Sequence, residues 1–326
     1  MENTQIPMEE KLGFLKVLNK AFKIPLKNPH FIIFAVITST PLFCFLFTSE
    51  TIFQKAFLET AKIISEVPPC FDCLDSETLG LVDKLFDRVS VTYLPVEKLF
   101  DRVSFTYLLM VLFCVGILNL LDFIAVTAIV DSSSLIYEGK NTMNLKHMLQ
   151  RLTQETRFKG PLITSVTVLL LASLIVSGLF SLATYVYLVS LSGFFMALFV
   201  VLFLVLLAKF IEWSAIWNMG IVISVLEEKQ GDVALLISSY LSRGNRKHGF
   251  LLVLVFFVWT VVLRLSCLYL RWLVGGSGMV VLAAYASLVC YANVMKWVVF
   301  VVYFYDCKRR GQEKKNGVAE ESHAIA

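Results

Sequence analysis

A chain of 326 residues with a mean hydropathy of +0.75 and 57% hydrophobic residues is not an ordinary soluble domain. Apolar surface on that scale needs hydrocarbon around it. The net charge of +4 comes from basic residues spread over several segments without interleaved aromatics, a pattern that excludes nucleic-acid binding as its purpose.

The first segment, 1–29, is a cytosolic amphipathic stretch by pattern. Within Glu10–Leu26, Leu12, Leu15, Leu18 or Asn19, and Phe22 recur at helical spacing between Lys11, Lys16, Lys20 and Lys23, and Pro25 and Pro29 are expected to stop the helix. Such a helix suits either an anionic leaflet or the ordinary positive flank of a membrane span. No cleavable signal is expected, because Phe43–Phe47 offers no small-residue cleavage site.

Residues 30–305 form the membrane domain. Hydrocarbon about 30 Å thick needs roughly 20 helical residues, and six runs reach or approach that length: 30–47, 105–130, 162–189, 194–226, 250–273 and 279–305. The predicted fold class is therefore all-α, a polytopic membrane helix bundle of six spans with amphipathic interfacial helices. With the N-terminus inside, 19 of the 29 Lys and Arg fall on the cytosolic side and seven outside. The positive-inside rule then gives N-in/C-in.

The extracytosolic loop, 48–104, places Ile52, Phe53, Ala56, Phe57, Ala61 and Ile64 on one helical face before Pro68-Pro69. Cys70-x-x-Cys73 follows, with the spacing of a redox pair but without the βαβ context that would tune one. A structural disulfide or two free thiols is the expectation there. Val82–Tyr93 and Val96–Tyr107 are then identical at ten of twelve positions, a short tandem duplication read as a loop extension. Farther along, the fourth run is unusually long and is kept as one helix. Gly231–Gly244 puts Val233, Leu236, Ile237, Tyr240 and Leu241 at helical spacing, as a short helix lying on the cytosolic surface. The basic tail, 306–326, is expected to lack structure.

Catalytic chemistry has little to stand on. The four histidines show no metal-ligand spacing, and the chain has no glycine-rich phosphate loop and no G-x-S-x-G. No catalytic residue, cofactor or metal is expected, and the chain is read as non-enzymatic. What stands out is an intramembrane polar set: Asn119, Asp122, Lys209, Glu212, Arg264, Asn293 and Lys296. Ionisable residues in spans carry a functional reading by default, here a small-solute or ion pathway, against a structural one in which they join helices. Counting residues inward from the cytosolic ends at Val130, Leu226, Phe250 and Tyr305 puts Asp122 level with Lys296, and Glu212 level with Arg264. That count predicts an Asp122–Lys296 and a Glu212–Arg264 contact, with Lys209 as the intrahelical alternative for Glu212.

Several stretches together resemble an uncharacterised family of plant multi-pass transmembrane proteins. They are Trp213-x3-Trp217-x7-Ser224-Val225-Leu226-Glu227-Glu228, then Gly231-x2-Ala234-Leu235-x2-Ser238-x2-Leu241-x2-Gly244, and the Leu135-Ile136-Tyr137-Glu138-Gly139-Lys140 exit from span two. The second pattern is also similar to membrane domains attached to some bacterial glycerophosphodiester phosphodiesterases, whose catalytic domain has no counterpart here. The resemblance implies the six-span fold and supplies no activity or site residues. Its expected setting is the endoplasmic reticulum, another endomembrane or the plasma membrane, with the lipid bilayer, anionic headgroups and other membrane proteins as partners.

The topology is open to a direct test. A sequon engineered near Ser76 should be glycosylated and one near Asn141 should not; modification of the second alone would invert the map.

Overall fold

In hydrocarbon every backbone N–H and C=O must find its partner within the protein, so apolar runs of this length fold as helices. The computed structural model describes residues 13–66, 105–139, 158–188, 193–227, 229–274 and 278–325. Among them run α1 (Phe14–Lys27), α2 (Pro29–Glu66), α3 (Phe105–Tyr137), α4 (Lys159–Leu188), α5 (Gly193–Leu226), α6 (Gly231–Leu241), α7 (Arg246–Val274) and α8 (Met279–Ile325). No strand occurs among the described residues. Six helices are long and apolar enough to cross a membrane, over Pro29–Ile52, Phe113–Tyr137, Lys159–Thr184, Ala197–Leu226, Arg246–Leu270 and Met279–Glu313. The chain is an all-α, polytopic membrane helix bundle. Cys70, Cys73 and most of the duplication lie outside the described residues.

Two compact units divide the chain, 1–42 with 122–326, and 43–121. In the smaller unit α2 continues without interruption to Glu66. The sequence reading ended the span at Phe47 and started a separate helix in the loop, but no helix breaker stands between Thr48 and Glu66. Phe43 and Phe47 stack one turn apart, with ring centroids 6.2 Å apart. The hydroxyls of Thr48 and Thr51 bond back to Cys44 O and Phe47 O, which keeps those polar groups inside the helix.

The larger unit is organised around α8. From Trp297 to Phe304 its side chains are almost wholly inaccessible, and Ala125–Val130 of α3 and Met219–Ile223 of α5 belong to the same core. Helix α1 adds Val17, Ala21 and Ile24, at i, i+4 and i+7, while Leu15, Phe22 and Leu26 stay exposed. The packed stripe therefore differs from the Leu15–Phe22 face expected from spacing. Pro25 does not stop α1 but sits in its last turn, which closes through Asn28 N–H on Pro25 O at 3.2 Å. The tail, expected without structure, is helical as far as Ile325. Asp306 with Arg309 and Arg310, and Arg309 with Glu313, pair at i, i+3 or i, i+4 and carry the helix beyond the apolar run.

Helix α6 packs on its small residues. Gly231, Ala234 and Ser238 are buried, whereas Val233, Leu236 and Tyr240 of the expected apolar face are exposed. Where it approaches α5, a Cβ at Gly220 would sit 2.7 Å from Leu235 Cδ2, so a larger residue there would have to displace the end of that side chain. At Gly249 a Cβ would lie 2.9 Å from the Tyr303 hydroxyl and 3.4 Å from Ala215 Cβ, all three groups being inside the bundle.

Gly249→Val should consequently push Tyr303 off its site and cost about 1–3 kcal/mol, the usual penalty for overpacking. Gly178→Ala, where a Cβ meets nothing within 4 Å, should be neutral or gain up to about 1 kcal/mol from helix propensity. Thermal unfolding of the two variants in one detergent checks the contrast.

Candidate functional site

Two polar clusters of the larger unit join α8 to other elements, one within the spans and one at their basic end. Within the spans, Asn293 Nδ2 donates to Asp122 Oδ1 at 2.6 Å, joining α8 to α3. The same Asn293 accepts from Trp297 Nε1 at 3.2 Å, so its amide bridges a carboxylate and an indole. Lys296, one turn on and half-buried, places its ammonium over the Trp297 ring at 4.5 Å. Asp122 thus takes Asn293 as its partner where the depth count predicted Lys296.

Glu212 pairs with Lys209 at 2.8 Å, the intrahelical alternative, and with Arg246 at 3.9 Å, rather than with Arg264. The Arg264 guanidinium reaches Tyr285 instead, donating to its hydroxyl at 3.5 Å and lying 5.6 Å from its ring centroid. Asn119, in the smaller unit, donates to Val115 O of its own helix at 2.8 Å. The seven residues read from the sequence therefore fall into separate local contacts: Asp122–Asn293 beside Lys296, Lys209–Glu212, and Arg264 and Asn119 each elsewhere.

At the basic end lies a cluster that sequence reasoning passed over. Asp306, its side chain 1% exposed, accepts from Arg310 Nη2 at 2.9 Å and from Arg309 Nη2 at 3.3 Å. Asn245, in the turn between α6 and α7, donates to Asp306 at 3.4 Å and accepts from Arg310 Nη1 at 3.0 Å. The Arg310 fork is thereby shared between a carboxylate and an amide, a geometry that a lysine could not supply. Tyr303 OH donates to the Asn245 carbonyl at 3.1 Å. Asn245 stands just before α7, where its side chain would ordinarily cap the helix N-terminus. Here both ends of the amide are engaged with α8 instead.

Two further contacts brace the same end. Lys308 Nζ meets Glu227 at 2.7 Å, tying α8 to the end of α5. Tyr305 OH donates to Glu138 at 2.8 Å, and its ring stacks on Tyr137 at 4.8 Å and 16°. The chain can leave α3 there because Gly139 takes φ +83° just past the helix end. Seven of the positions that carried the family resemblance have a packing duty: Gly231, Ala234 and Ser238 against neighbouring helices, Leu241 beside Gly311, and Glu227, Tyr137 and Glu138 onto α8. Ser238 Oγ donates to Ile216 O at 2.6 Å, and Gly231 N–H donates to Thr164 Oγ1 at 2.9 Å.

Chemically these arrangements hold helices together. The carboxylates of Asp122, Glu138, Glu212, Glu227 and Asp306 each meet a donor on another element. Among the described residues no three His, Cys, Asp or Glu side chains converge to hold a metal ion.

Asp306→Ala would leave two partly buried guanidiniums facing a void, and should cost on the order of 3 kcal/mol. Asn293→Ala should cost less, since hydrogen bonds between membrane helices are worth about 0.6 kcal/mol on average and at most about 1.7. Unfolding titrations in mixed micelles measure both. An Asp122→Ala/Asn293→Ala double-mutant cycle should return a coupling in that smaller range.

No protein-family profile, no curated protein and no solved structure matches this chain.

Proposed function

We propose that this chain is a non-enzymatic multi-pass membrane protein with a structural, trafficking or stress-related role in a plant endomembrane or the plasma membrane, oriented N-in/C-in. The observation that supports this reading is the mutual pairing of its charged groups. Asp306 with Arg309 and Arg310, Glu227 with Lys308, and Glu212 with Lys209 and Arg246 each face one another. Of these, Glu227–Lys308 and Glu212–Arg246 join different helices, and charges paired in that way fix the bundle's register instead of standing open to a cargo. A plant setting and membership of the six-span family follow from the sequence resemblance alone.

A second reading, a small-solute or ion transporter, draws on one observation. Asp122, Asn293 and Lys296 stand close together inside the apolar spans of α3 and α8. The same experiment separates the two readings. Purified full-length protein in vesicles should show no ion or solute flux above protein-free vesicles, while proximity labelling of a tagged copy in cells should return a reproducible set of membrane-protein neighbours. Flux that disappears in Asp122→Asn or Lys296→Gln would overturn the first reading in favour of the second.

A further inference from the structure

Asn293 is held at both ends of its amide, and that fixes how Asp122 is engaged. The Trp297 indole can only donate, and it does so to the Asn293 oxygen at 3.2 Å. The amide nitrogen is therefore the end that faces Asp122, on Oδ1 at 2.6 Å. The other carboxylate oxygen of Asp122 has no donor among the described residues. Lys296, one turn on from Asn293, is in the converse position. Its ammonium rests over the Trp297 ring at 4.5 Å and donates to no acceptor among the described residues. Neither atom is wholly enclosed by protein, and Asp122, Asn293 and Lys296 are all half-buried.

Two incompletely met charges are out of place at this depth. Both residues stand in the apolar runs of α3 and α8, where an isolated charge is costly. A ring face compensates an ammonium in part, but it offers no oxygen to the three N–H groups of a lysine. Asp122 and Lys296 lie within electrostatic reach of each other. The seam thus presents one free acceptor and one free donor group of opposite charge. A lone cation would be drawn to Asp122 and repelled by Lys296, and a lone anion the reverse. A ligand that carries both charges satisfies both residues.

We propose that Asp122 and Lys296 bind a zwitterion with a primary ammonium, whose N–H groups donate to the free oxygen of Asp122 while its carboxylate or phosphate accepts from Lys296. A free α-amino acid and the headgroup of an ethanolamine phospholipid share that chemistry. Asn293, held by Trp297, is a positioning residue for the carboxylate. The inference rests on this cluster being open to a ligand, as the transporter reading has it, and does not require the ligand to cross the bilayer.

The test uses full-length protein in nanodiscs and two pairs of probes, each pair differing only in its ammonium N–H groups. Where the ligand is a free amino acid, radiolabelled glycine should bind saturably in phosphatidylcholine nanodiscs, and N,N,N-trimethylglycine should not compete. Where it is a lipid, native mass spectrometry should show phosphatidylethanolamine retained over phosphatidylcholine of the same acyl chains. Either preference should fall at least about tenfold in Asp122→Asn and in Lys296→Gln, as expected for one lost hydrogen bond to a charged group. Lys296→Arg should keep it, which separates ligand binding from a folding defect. The unsubstituted protein decides the case even where a variant fails to fold, because absence of both preferences overturns the proposal. A preference that survives in both Asp122→Asn and Lys296→Gln overturns it as well. Carriage of an inorganic ion without either preference would sink this inference and keep the transporter reading, whereas binding without flux would support it and leave the structural reading in place.

Discussion

A single buried carboxylate, Asp306, fixes the turn between α6 and α7 to α8, and much of the bundle's register depends on it. Its partners come from two directions: Arg309 and Arg310 from its own helix, Asn245 from the turn. Because Tyr303 also donates to Asn245 O, the turn is held through both its side chain and its backbone. Ionic groups drawn out of water cost free energy that their attraction only offsets when further hydrogen bonds complete the geometry. Sharing the Arg310 fork with the Asn245 amide provides part of that geometry. The arrangement contributes less to net stability than to the choice of one register among several that an apolar bundle could adopt.

Register matters because apolar helices surrounded by lipid gain little from hydrophobic burial against each other. Association then rests on close packing and polar contacts, and both recur along α5 and α6. Gly220 admits Leu235, while Ser238 satisfies its hydroxyl on a carbonyl of the neighbouring helix. The small-residue face of α6 is thereby spoken for, which leaves its larger side chains directed outward. An exposed Val233, Leu236 and Tyr240 would be a liability in water. Facing lipid, such side chains are in their ordinary surroundings.

The spans were legible in the sequence because continuous hydropathy is a local property, needing no knowledge of neighbours. Pairing is not local, and the depth count shows why it missed. It placed the inner ends of α5 and α7 at one level, Leu226 with Phe250, and so matched Glu212 with Arg264. The contacts set Gly249 beside Ala215, and under that shift Glu212 stands near Arg246. For α3 and α8 the assumed ends were nearly level, and the count came within one turn: Asp122 meets Asn293, three residues before Lys296. Asp306 was missed for another reason. Its spacing to Arg309 and Arg310 is an ordinary i, i+3 and i, i+4 signal, but charge density after an apolar run reads as a solvated tail. Only the partner Asn245, far off in sequence, turns it inward.

That same shift bears on why the fourth run is so long. One apolar helix of 34 residues exceeds what about 30 Å of hydrocarbon requires. Its first half lies among exposed side chains, whereas Ala215, Trp217, Met219 and Val222 in its second half are buried by neighbouring protein. Apolar residues can therefore persist past the point where lipid alone would demand them, because α6 and the core take over as their surroundings. Lys209 and Glu212 fall where the two regimes meet. There a charge pair stands at the margin of the lipid-facing half, and Arg246 at the head of α7 can reach it. The length of the run thus records a change of environment along one helix, from lipid on one side of Glu212 to protein on the other.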